Sequence, residues 1–299
     1  MLICDAHCDT LSRLFNNYKT DRLDITLERL KEGKISLQTM AMYVGGSNKP
    51  EDVKRQMDGM LTVYQDLLKN GWVQAFDPSE AEENKVKTML SIEGCEIFEQ
   101  DFAYIQLYRD AGVRMAAITW NYENALGTPH CKDATTGLTD FGFKCLFEME
   151  RLGIAADVSH LNERGFWDIM NKGHKPPLAS HSCARKICDH TRNLNDEQLK
   201  ALFQSGGWIG LNYLPLFLTG SNDATTEDIA RHIRHMYDLG GAGHVGLGSD
   251  FDGIGEKPVG LDNPTELTNL FETLKNHGFS QADLNDIAGK AFIDYYKRL

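Results

Sequence analysis

The sequence predicts an α/β protein folded as a closed (β/α)8 barrel of the TIM-barrel type. Eight short β-prone runs alternate with helical segments, and a chain of 299 residues has the length that eight such units occupy. An open, doubly wound parallel sheet is the alternative that the same alternation allows. No Pro- or Ser-rich linker and no charge block divides the chain, so residues 1–299 are predicted to form a single domain.

The individual elements follow from residue type and spacing. Strands are predicted at the apolar, β-prone runs Leu2–Asp9, Ile35–Val44, Thr88–Gly94, Val113–Trp120, Ile154–His160, Leu178–Ser182, Trp208–Leu214 and Val245–Phe251. Apolar residues at helical spacing, cap residues and glycine stops predict helices at Glu51–Leu68, Phe102–Asp110, Leu138–Leu152, Glu197–Phe203, Thr225–Leu239, Pro264–Lys275 and Gln281–Lys297. The long polar segment 121–137 is predicted with equal weight as a lid or specificity loop or as a plain surface excursion.

Composition excludes several classes of protein. The formal charge of −12 disfavours binding to nucleic acid or to anionic membrane surfaces. The amino terminus has no signal-peptide pattern, and no apolar run approaches the roughly 20 residues of a membrane span. A cytoplasmic protein is therefore expected. The seven cysteines form no C-x-x-C pair, which favours reduced thiols over a disulfide framework.

Metal-capable side chains stand at the carboxyl ends of five predicted strands. These residues are His7, Asp9, Glu93, His160, His181 and Asp250. Barrel enzymes build their sites at this end of the strands, so the six side chains are expected to converge. Mixed histidine and carboxylate ligands suit zinc, with manganese, cobalt or iron as alternatives. The sequence therefore predicts a site for two divalent metal ions, most simply Zn²⁺.

Each signal is weak when it is taken alone. His7 and Asp9 are two residues apart and would share one face of a strand, but such pairs also arise by chance. Glu93 could bridge two cations through its two oxygens, or it could serve in a salt bridge or a helix cap. A lone strand-end histidine is more often structural than a ligand. Two of them on adjacent strands, His160 and His181, beside the other candidates reverse that preference.

The order of these motifs resembles the membrane (renal-type) dipeptidase family of zinc peptidases, and in particular its bacterial, unanchored members. The motifs are the H-x-D pair, Glu93, His160, the stretch 180–193 and the sequence GSDFDG at 248–253, so they span most of the chain. The resemblance implies a barrel of the metal-dependent hydrolase type. His7, Asp9 and Asp250 would hold one metal, His160 and His181 would hold the other, and Glu93 would bridge them.

The resemblance also implies the substrate. Family members hydrolyse dipeptides, often accept a D-residue at the carboxyl end, and are commonly homodimers. Arg192 matches the arginine that binds the free carboxylate of the substrate. One position departs from the pattern, because Trp120 stands where better-known members carry a histidine that contacts the tetrahedral intermediate. Asn121, Asn124 or the metals alone are the candidates to replace it, and Asn121 is predicted as a substrate contact.

The predicted reaction is hydrolysis of a free dipeptide by a hydroxide that bridges the two metals. Asp250 is the predicted catalytic residue, which takes the proton from that water and passes it to the leaving amine. No G-x-S-x-G nucleophile motif is present. Two other interpretations fit the same ligands: another two-metal barrel hydrolase acting on lactones, cyclic amides or phosphoesters, and a metal-binding scaffold that has lost catalysis.

Overall fold

The computed structural model describes residues 1–45 and 49–299. Eight parallel strands, each hydrogen-bonded to its neighbours in sequence order, form a closed barrel. The strands are β1 (Cys4–Asp5), β2 (Leu37–Tyr43), β3 (Lys87–Glu93), β4 (Val113–Ala117), β5 (Ala155–Asp157), β6 (Leu178–Ser182), β7 (Trp208–Leu211) and β8 (Val245–Leu247). Asp5 of β1 pairs with Leu247 of β8 and closes the ring. The predicted barrel is confirmed, and the open-sheet alternative is wrong.

Helices surround the barrel. They are α1 (Thr10–Phe15), α2 (Leu27–Glu32), α3 (Pro50–Lys69), α4 (Tyr104–Ala111), α5 (Asp140–Arg151), α6 (Glu163–Lys172), α7 (Asp196–Gln204), α8 (Pro215–Thr219), α9 (Thr226–Asp238), α10 (Leu267–Asn276), α11 (Gln281–Asn285) and α12 (Ala291–Tyr296). Within the described part of the chain, none of the helices combines the length and the apolar composition that a bilayer crossing requires.

Helix α3 illustrates how the local sequence sets these helices. Pro50 occupies the first turn, where its missing N–H has no helical partner to lose. Glu51 and Asp52 follow in the same turn, where negative charge is favourable. Val53, Met57, Met60 and Tyr64 are buried at three- and four-residue spacing, so one face of the helix packs on the barrel.

Most predicted strands are longer than the observed ones at their carboxyl ends. Strand β1 stops at Asp5 rather than Asp9, β5 stops at Asp157 rather than His160, and β8 stops at Leu247 rather than Phe251. At β1, the regular ladder stops after Asp5, Cys8 forms only a single parallel bridge with Phe251, and Asp9 is already the residue that precedes α1. The chain leaves the sheet ladder in order to enter the loops of the barrel mouth.

The prediction for the last helix of the chain is also wrong in one respect. A single helix was predicted over Gln281–Lys297, whereas residues 286–290 form a wider turn that separates α11 from α12. Gly289 lies in this turn, and a Cβ atom there would lie 2.8 Å from Cys4 Sγ and 2.9 Å from Cys4 N. The helix is interrupted because it approaches the backbone of β1 closely.

Two apolar layers stabilise the barrel. The larger one lies between the strands and the surrounding helices. The smaller one takes residues from seven strands and from α12, namely Cys4, Leu37, Met89, Met115, Ala155, Leu178, Trp208 and Phe292. Inside the barrel, Gly210 and Gly248 have no room for a side chain, because a Cβ atom would lie 2.2 and 2.0 Å from the Ser180 carbonyl oxygen. This packing leaves the carboxyl-terminal mouth as the place for chemistry.

Candidate metal centre

The six predicted metal ligands come together at the carboxyl-terminal mouth of the barrel. The side chains of five of them are less than 10% exposed and that of Asp250 is 13% exposed. Two groups of three, His7–Glu93–His181 and His7–Asp9–Asp250, each offer ligand atoms that lie within 4.8 Å of one another. Glu93 lies between the two parts of the cluster, which we call the histidine side and the carboxylate side.

The histidine side consists of His160, His181 and one oxygen of Glu93. The two Nε2 atoms of the histidines lie 3.0 Å apart. Glu93 Oε1 lies 3.0 Å from His160 Nε2 and 3.4 Å from His181 Nε2. Three ligand atoms therefore face a common point. The loop after β5 brings His160 to it, and β6 itself carries His181.

Hydrogen bonds fix the tautomers of both histidines. Asn121 Oδ1 can only accept, so His160 Nδ1, at 2.9 Å, carries the proton. Ser180 donates its hydroxyl proton to Asp157, so it accepts from His181 Nδ1 at 2.7 Å. Neither Nε2 atom therefore carries a proton, and the lone pairs of the two atoms point at each other.

Burial keeps the two imidazoles neutral. It lowers the pKa of His160 and of His181 well below the ordinary value, with nearby Arg192 and His7 adding to the effect. Two bare nitrogens and a carboxylate oxygen at these distances repel one another unless a cation lies among them. A divalent metal ion satisfies all three atoms, and such outer hydrogen bonds commonly orient metal-binding histidines.

The carboxylate side consists of His7, Asp9, Asp250 and the other oxygen of Glu93. His7 Nε2 lies 3.6 Å from Asp9 Oδ2, 3.6 Å from Glu93 Oε2 and 3.8 Å from Asp250 Oδ1. His7 Nε2 and Asp9 Oδ1 are buried and have no hydrogen-bond partner among the described residues. Orphaned polar atoms of this kind fit a second cation.

Electrostatic repulsion on the carboxylate side is strong. Burial, reinforced by the charge of Asp9, raises the pKa of Glu93. The pKa of Asp250 is raised to about 8, chiefly by burial and also by the charges of Asp9 and Glu93, against the opposing effect of His7. A bound cation lowers the pKa of its carboxylate ligands, because it stabilises their charged form. The acids of this side therefore also fit a metal ion.

The backbone of the site is unusual at two ligands. His160 has φ of 64° and Asp250 has φ of 65°, in the left-handed region that non-glycine residues rarely adopt. Gly253 closes the turn after Asp250, and a Cβ atom there would lie 2.2 Å from Asp9 Oδ2 and 2.3 Å from Asp250 Oδ1. Strained positions of this kind persist where the surrounding contacts over-determine them.

A cavity of about 380 Å³ opens above the centre. Among the described residues, it is lined by Asp9, Ser12, Arg13, Asn16, Tyr18, Tyr43, Glu93, Trp120, His160, Asp250, Asp252 and Gly253. Trp120 therefore borders the site, with its ring centroid 4.9 Å from that of Tyr43 and 6.2 Å from that of His160. The space is of the size that holds a small-molecule substrate.

The two predicted substrate contacts lie beside the ligands. Arg192 is buried; its Nη1 donates to Ser182 Oγ and its Nη2 donates to the His181 carbonyl. Its Nε has no hydrogen-bond partner among the described residues. Asn121 contacts His160, as described above. Asn124, the other candidate at this loop, uses its Oδ1 to accept from the N–H groups of Leu126 and Gly127, and it lines a separate cavity.

Sequence analysis missed two residues that support the centre. Asn212 follows β7 and donates to Asp250 Oδ2 at 2.8 Å. His130 lies in the 121–137 loop, with Nε2 3.1 Å from Asn121 Oδ1 and Nδ1 2.9 Å from Thr191 Oγ1. The polar Asn212 within the predicted apolar strand Trp208–Leu214 was a usable signal. Nothing in the sequence connects His130 with Asn121, nine positions away in an irregular loop.

Hydrogen bonds hold the loop 121–137 against the site. The His130 N–H donates to the His160 carbonyl at 2.7 Å, and Asn162 Nδ2 donates to the carbonyls of Asp133 and Thr136. Of the two interpretations of this loop, a plain surface excursion is wrong, because the loop contributes Asn121 and His130 to the surroundings of His160.

Comparison with known proteins agrees with this geometry. Residues 1–296 match the family described as Membrane dipeptidase (Peptidase family M19). The chain belongs to this family. The resemblance found in the sequence is thereby confirmed, together with the general activity, metal-dependent hydrolysis of dipeptides, and the other interpretations lose their support.

Individual relatives cover most of the chain. An uncharacterized dipeptidase of Schizosaccharomyces pombe is 31% identical over 281 residues, which are 86% of this chain and 67% of that protein. The crystal structure of a metallopeptidase from Rhodobacter sphaeroides, liganded with a phosphinate mimic of the dipeptide L-Ala-D-Ala, has a TM-score of 0.92 at 26% identity and covers 100% of this chain and 99% of its own. Dipeptidase AC, also a metallopeptidase, has a TM-score of 0.92 at 27% identity, with 100% and 98% covered.

Proposed function

We propose that this member of the M19 family is a two-zinc dipeptidase. The observation that supports the proposal most directly is the pair of bare Nε2 atoms of His160 and His181, which face Glu93 Oε1 while Glu93 Oε2 faces His7. Zinc is proposed because neutral imidazoles and carboxylates are its common ligands. His160 and His181 would hold one ion, His7, Asp9 and Asp250 the other, and Glu93 would bridge them.

When bound, the two ions would acidify a shared water and polarise the peptide carbonyl. The side chains of the protein supply the remaining functions. Asp250 accepts a proton at its carboxylate and delivers it to the leaving amine, and the Asn212 amide orients that carboxylate through Oδ2. Arg192 binds the carboxyl terminus of the dipeptide through its guanidinium, whose Nε is free to donate. Asn121 is proposed to border the substrate while it orients His160.

Further features of the proposal concern the natural state of the protein. A D-residue at the carboxyl end is proposed as acceptable, by analogy with the L-Ala-D-Ala mimic held by the Rhodobacter sphaeroides relative. We also propose that residues 1–299 act as one domain, that the protein is cytoplasmic and that it is a homodimer. Sedimentation of the purified protein tests the homodimer.

The experiment that tests the function measures metal content per chain and the hydrolysis of free dipeptides before and after chelation. About two zinc ions per chain with chelator-sensitive cleavage are expected. Dipeptide amides should be cleaved far more slowly than the free dipeptides, because Arg192 would lose its carboxylate partner. Two bound metals without cleavage of any dipeptide would contradict the proposal, and equal rates on a dipeptide and its amide would contradict the role of Arg192.

A further inference from the structure

Arg13 is a cation in the substrate cavity to which the reaction as proposed assigns no task. It lies in α1, one helical turn after the ligand Asp9, and its backbone N–H donates to the Asp9 carbonyl at 3.2 Å. Among the described residues that line the cavity, it is the only lysine or arginine. A charged side chain in this place bears on which substrates enter.

Contacts fix the guanidinium of Arg13 but leave two of its nitrogen atoms, Nη1 and Nη2, without a partner among the described residues. Its Nε donates to the Asp252 carbonyl, and its Cζ lies 4.8 Å from the centroid of the Tyr18 ring. Neither Nη1 nor Nη2 donates a hydrogen bond to any described residue. Two parallel N–H groups at the end of a fixed guanidinium are the geometry that binds a carboxylate in a bidentate manner.

The neighbouring Asp252 contacts Arg13 through its backbone carbonyl, and its carboxylate is hydrogen-bonded to other groups. Asp252 accepts from the Asp24 N–H through Oδ1, and from Thr10 Oγ1 and the Ile25 N–H through Oδ2. Asp24 is in turn paired with Lys257 Nζ at 2.8 Å. The carboxylates of Asp252 and Asp24 are therefore already hydrogen-bonded or paired, so Nη1 and Nη2 of Arg13 remain available to a substrate.

The position of Arg13 in the mouth indicates which part of a dipeptide it meets. Arg13 follows β1, whereas Arg192 follows β6 and contacts the His181 carbonyl, so β7 and β8 separate the two arginines around the barrel. A dipeptide whose carboxyl terminus is held at Arg192 cannot present the same carboxylate at Arg13. If its scissile bond lies between the two sides of the centre, its amino-terminal residue would extend toward the carboxylate side, where Arg13 contacts Asp252.

We propose that Arg13 makes this enzyme selective for dipeptides whose amino-terminal residue carries an acidic side chain, aspartate or glutamate. The inference rests on the proposed dipeptidase function and names its substrate class. Two divalent cations would balance the three carboxylates of the ligand set and a bound hydroxide, so the loaded site would not repel an anionic side chain. A charge-assisted bidentate contact should favour such a substrate by about 10- to 100-fold.

The test compares kcat/KM for Glu-Ala with that for Gln-Ala on the zinc-loaded enzyme, since the two substrates differ only in charge. The same ratio is measured for Arg13→Gln, for Arg13→Lys and for Arg22→Gln, which removes an exposed arginine outside the cavity. The wild type and Arg22→Gln should prefer Glu-Ala by about 10-fold or more, mainly through KM. The ratio should fall to about one in Arg13→Gln and to an intermediate value in Arg13→Lys.

A ratio measured on each variant is insensitive to a general loss of activity, because such a loss affects both substrates. Binding of phosphinate analogues of Glu-Ala and Gln-Ala, measured by calorimetry, gives the same ratio without turnover. If the wild type cleaves dipeptides but its kcat/KM ratio for Glu-Ala over Gln-Ala is near one, the assignment of Arg13 is overturned and the proposed dipeptidase function stands. A ratio unchanged in Arg13→Gln, or a preference confined to Ala-Glu over Ala-Gln, would also overturn it. Failure to cleave any dipeptide would overturn the proposed function itself.

Discussion

The histidine side and the carboxylate side of the centre hold their ligands in different ways. On the histidine side, the hydrogen bonds that the two imidazoles donate to Asn121 and Ser180 fix the tautomer of each ring, and burial favours the neutral form of both. On the carboxylate side, His7 Nε2 and Asp9 Oδ1 have no hydrogen-bond partner among the described residues, and burial together with nearby negative charge raises the pKa of Glu93 and of Asp250. The comparison indicates that hydrogen bonds preorganise the histidine side, whereas the carboxylate side leaves more polar atoms and more repulsion for a metal to satisfy.

Replacing Asp250 by Asn should have the largest effect, because it removes both a ligand of the carboxylate side and the proposed proton carrier. We expect kcat to fall by about 10²- to 10⁴-fold, the range for loss of general acid–base catalysis. The metal on the histidine side should remain bound, so metal analysis should find more than half of the wild-type content. A loss of less than about 10-fold in kcat would assign the proton transfer to another group.

Gly253→Ala should disturb the carboxylate side without changing any ligand. The new Cβ would lie 2.2 Å from Asp9 Oδ2 and 2.3 Å from Asp250 Oδ1, so both carboxylates must move. A displacement of about 1 Å in a catalytic site can cost about 100-fold in rate, and we expect kcat/KM to fall by about that amount. The matched control is Gly255→Ala, where no atom lies within 4 Å of the new Cβ. Equal activity of the two variants would contradict this account.

Asn121→Ala should weaken the histidine side alone. Loss of the acceptor at 2.9 Å frees His160 Nδ1 and allows its proton to move to Nε2. Loss of such a partner commonly costs about 10- to 100-fold in metal affinity, which competition with a chelator measures. Asn121→Asp keeps an acceptor oxygen and should bind metal nearly as tightly as the wild type. Wild-type affinity in Asn121→Ala would show that the tautomer of His160 is set elsewhere.

The smallest predicted effect concerns Glu96, a buried acid that belongs to neither the histidine side nor the carboxylate side. Burial raises the pKa of Glu96 from 4.5 to about 7, so between these values the folded state binds more protons than the unfolded state. The free energy of unfolding should therefore fall as pH rises from about 4.5 to about 7, by at most about 3 kcal/mol. Glu96→Gln should make the fall smaller by this amount, and denaturant titrations of the wild type and the variant at pH 5 and pH 8 measure the difference. The exposed Glu272→Gln should keep the wild-type pH dependence, and a flat wild-type profile would contradict the prediction.

The sequence was sufficient for the framework of the molecule. Eight apolar runs in alternation with helices predicted the barrel, because a parallel sheet needs helices on its outer face. The six predicted ligands lie together, as expected, because side chains that follow the strands of a barrel meet at one mouth. His181 shows this best, since β6 ends within one residue of it, as predicted.

Other features could not be predicted because they depend on contacts between distant segments. Strand β1 stops at Asp5, although Cys8 still forms a single parallel bridge with the distant Phe251. The support of His160 by Asn121 and His130 requires the folded path of an irregular loop. The burial of Arg192 against His181 and Ser182 follows from the packing of the segment after β6, and periodicity carries no information about it.

Closure of the barrel between β1 and β8 also sets when the centre can form during protein synthesis. The carboxylate side joins His7 and Asp9 with Asp250, which lies 241 residues after Asp9 in the sequence. The histidine side needs residues only up to His181. A growing chain therefore cannot complete the carboxylate side until Asp250 has been translated, whereas all residues of the histidine side are present 69 residues earlier.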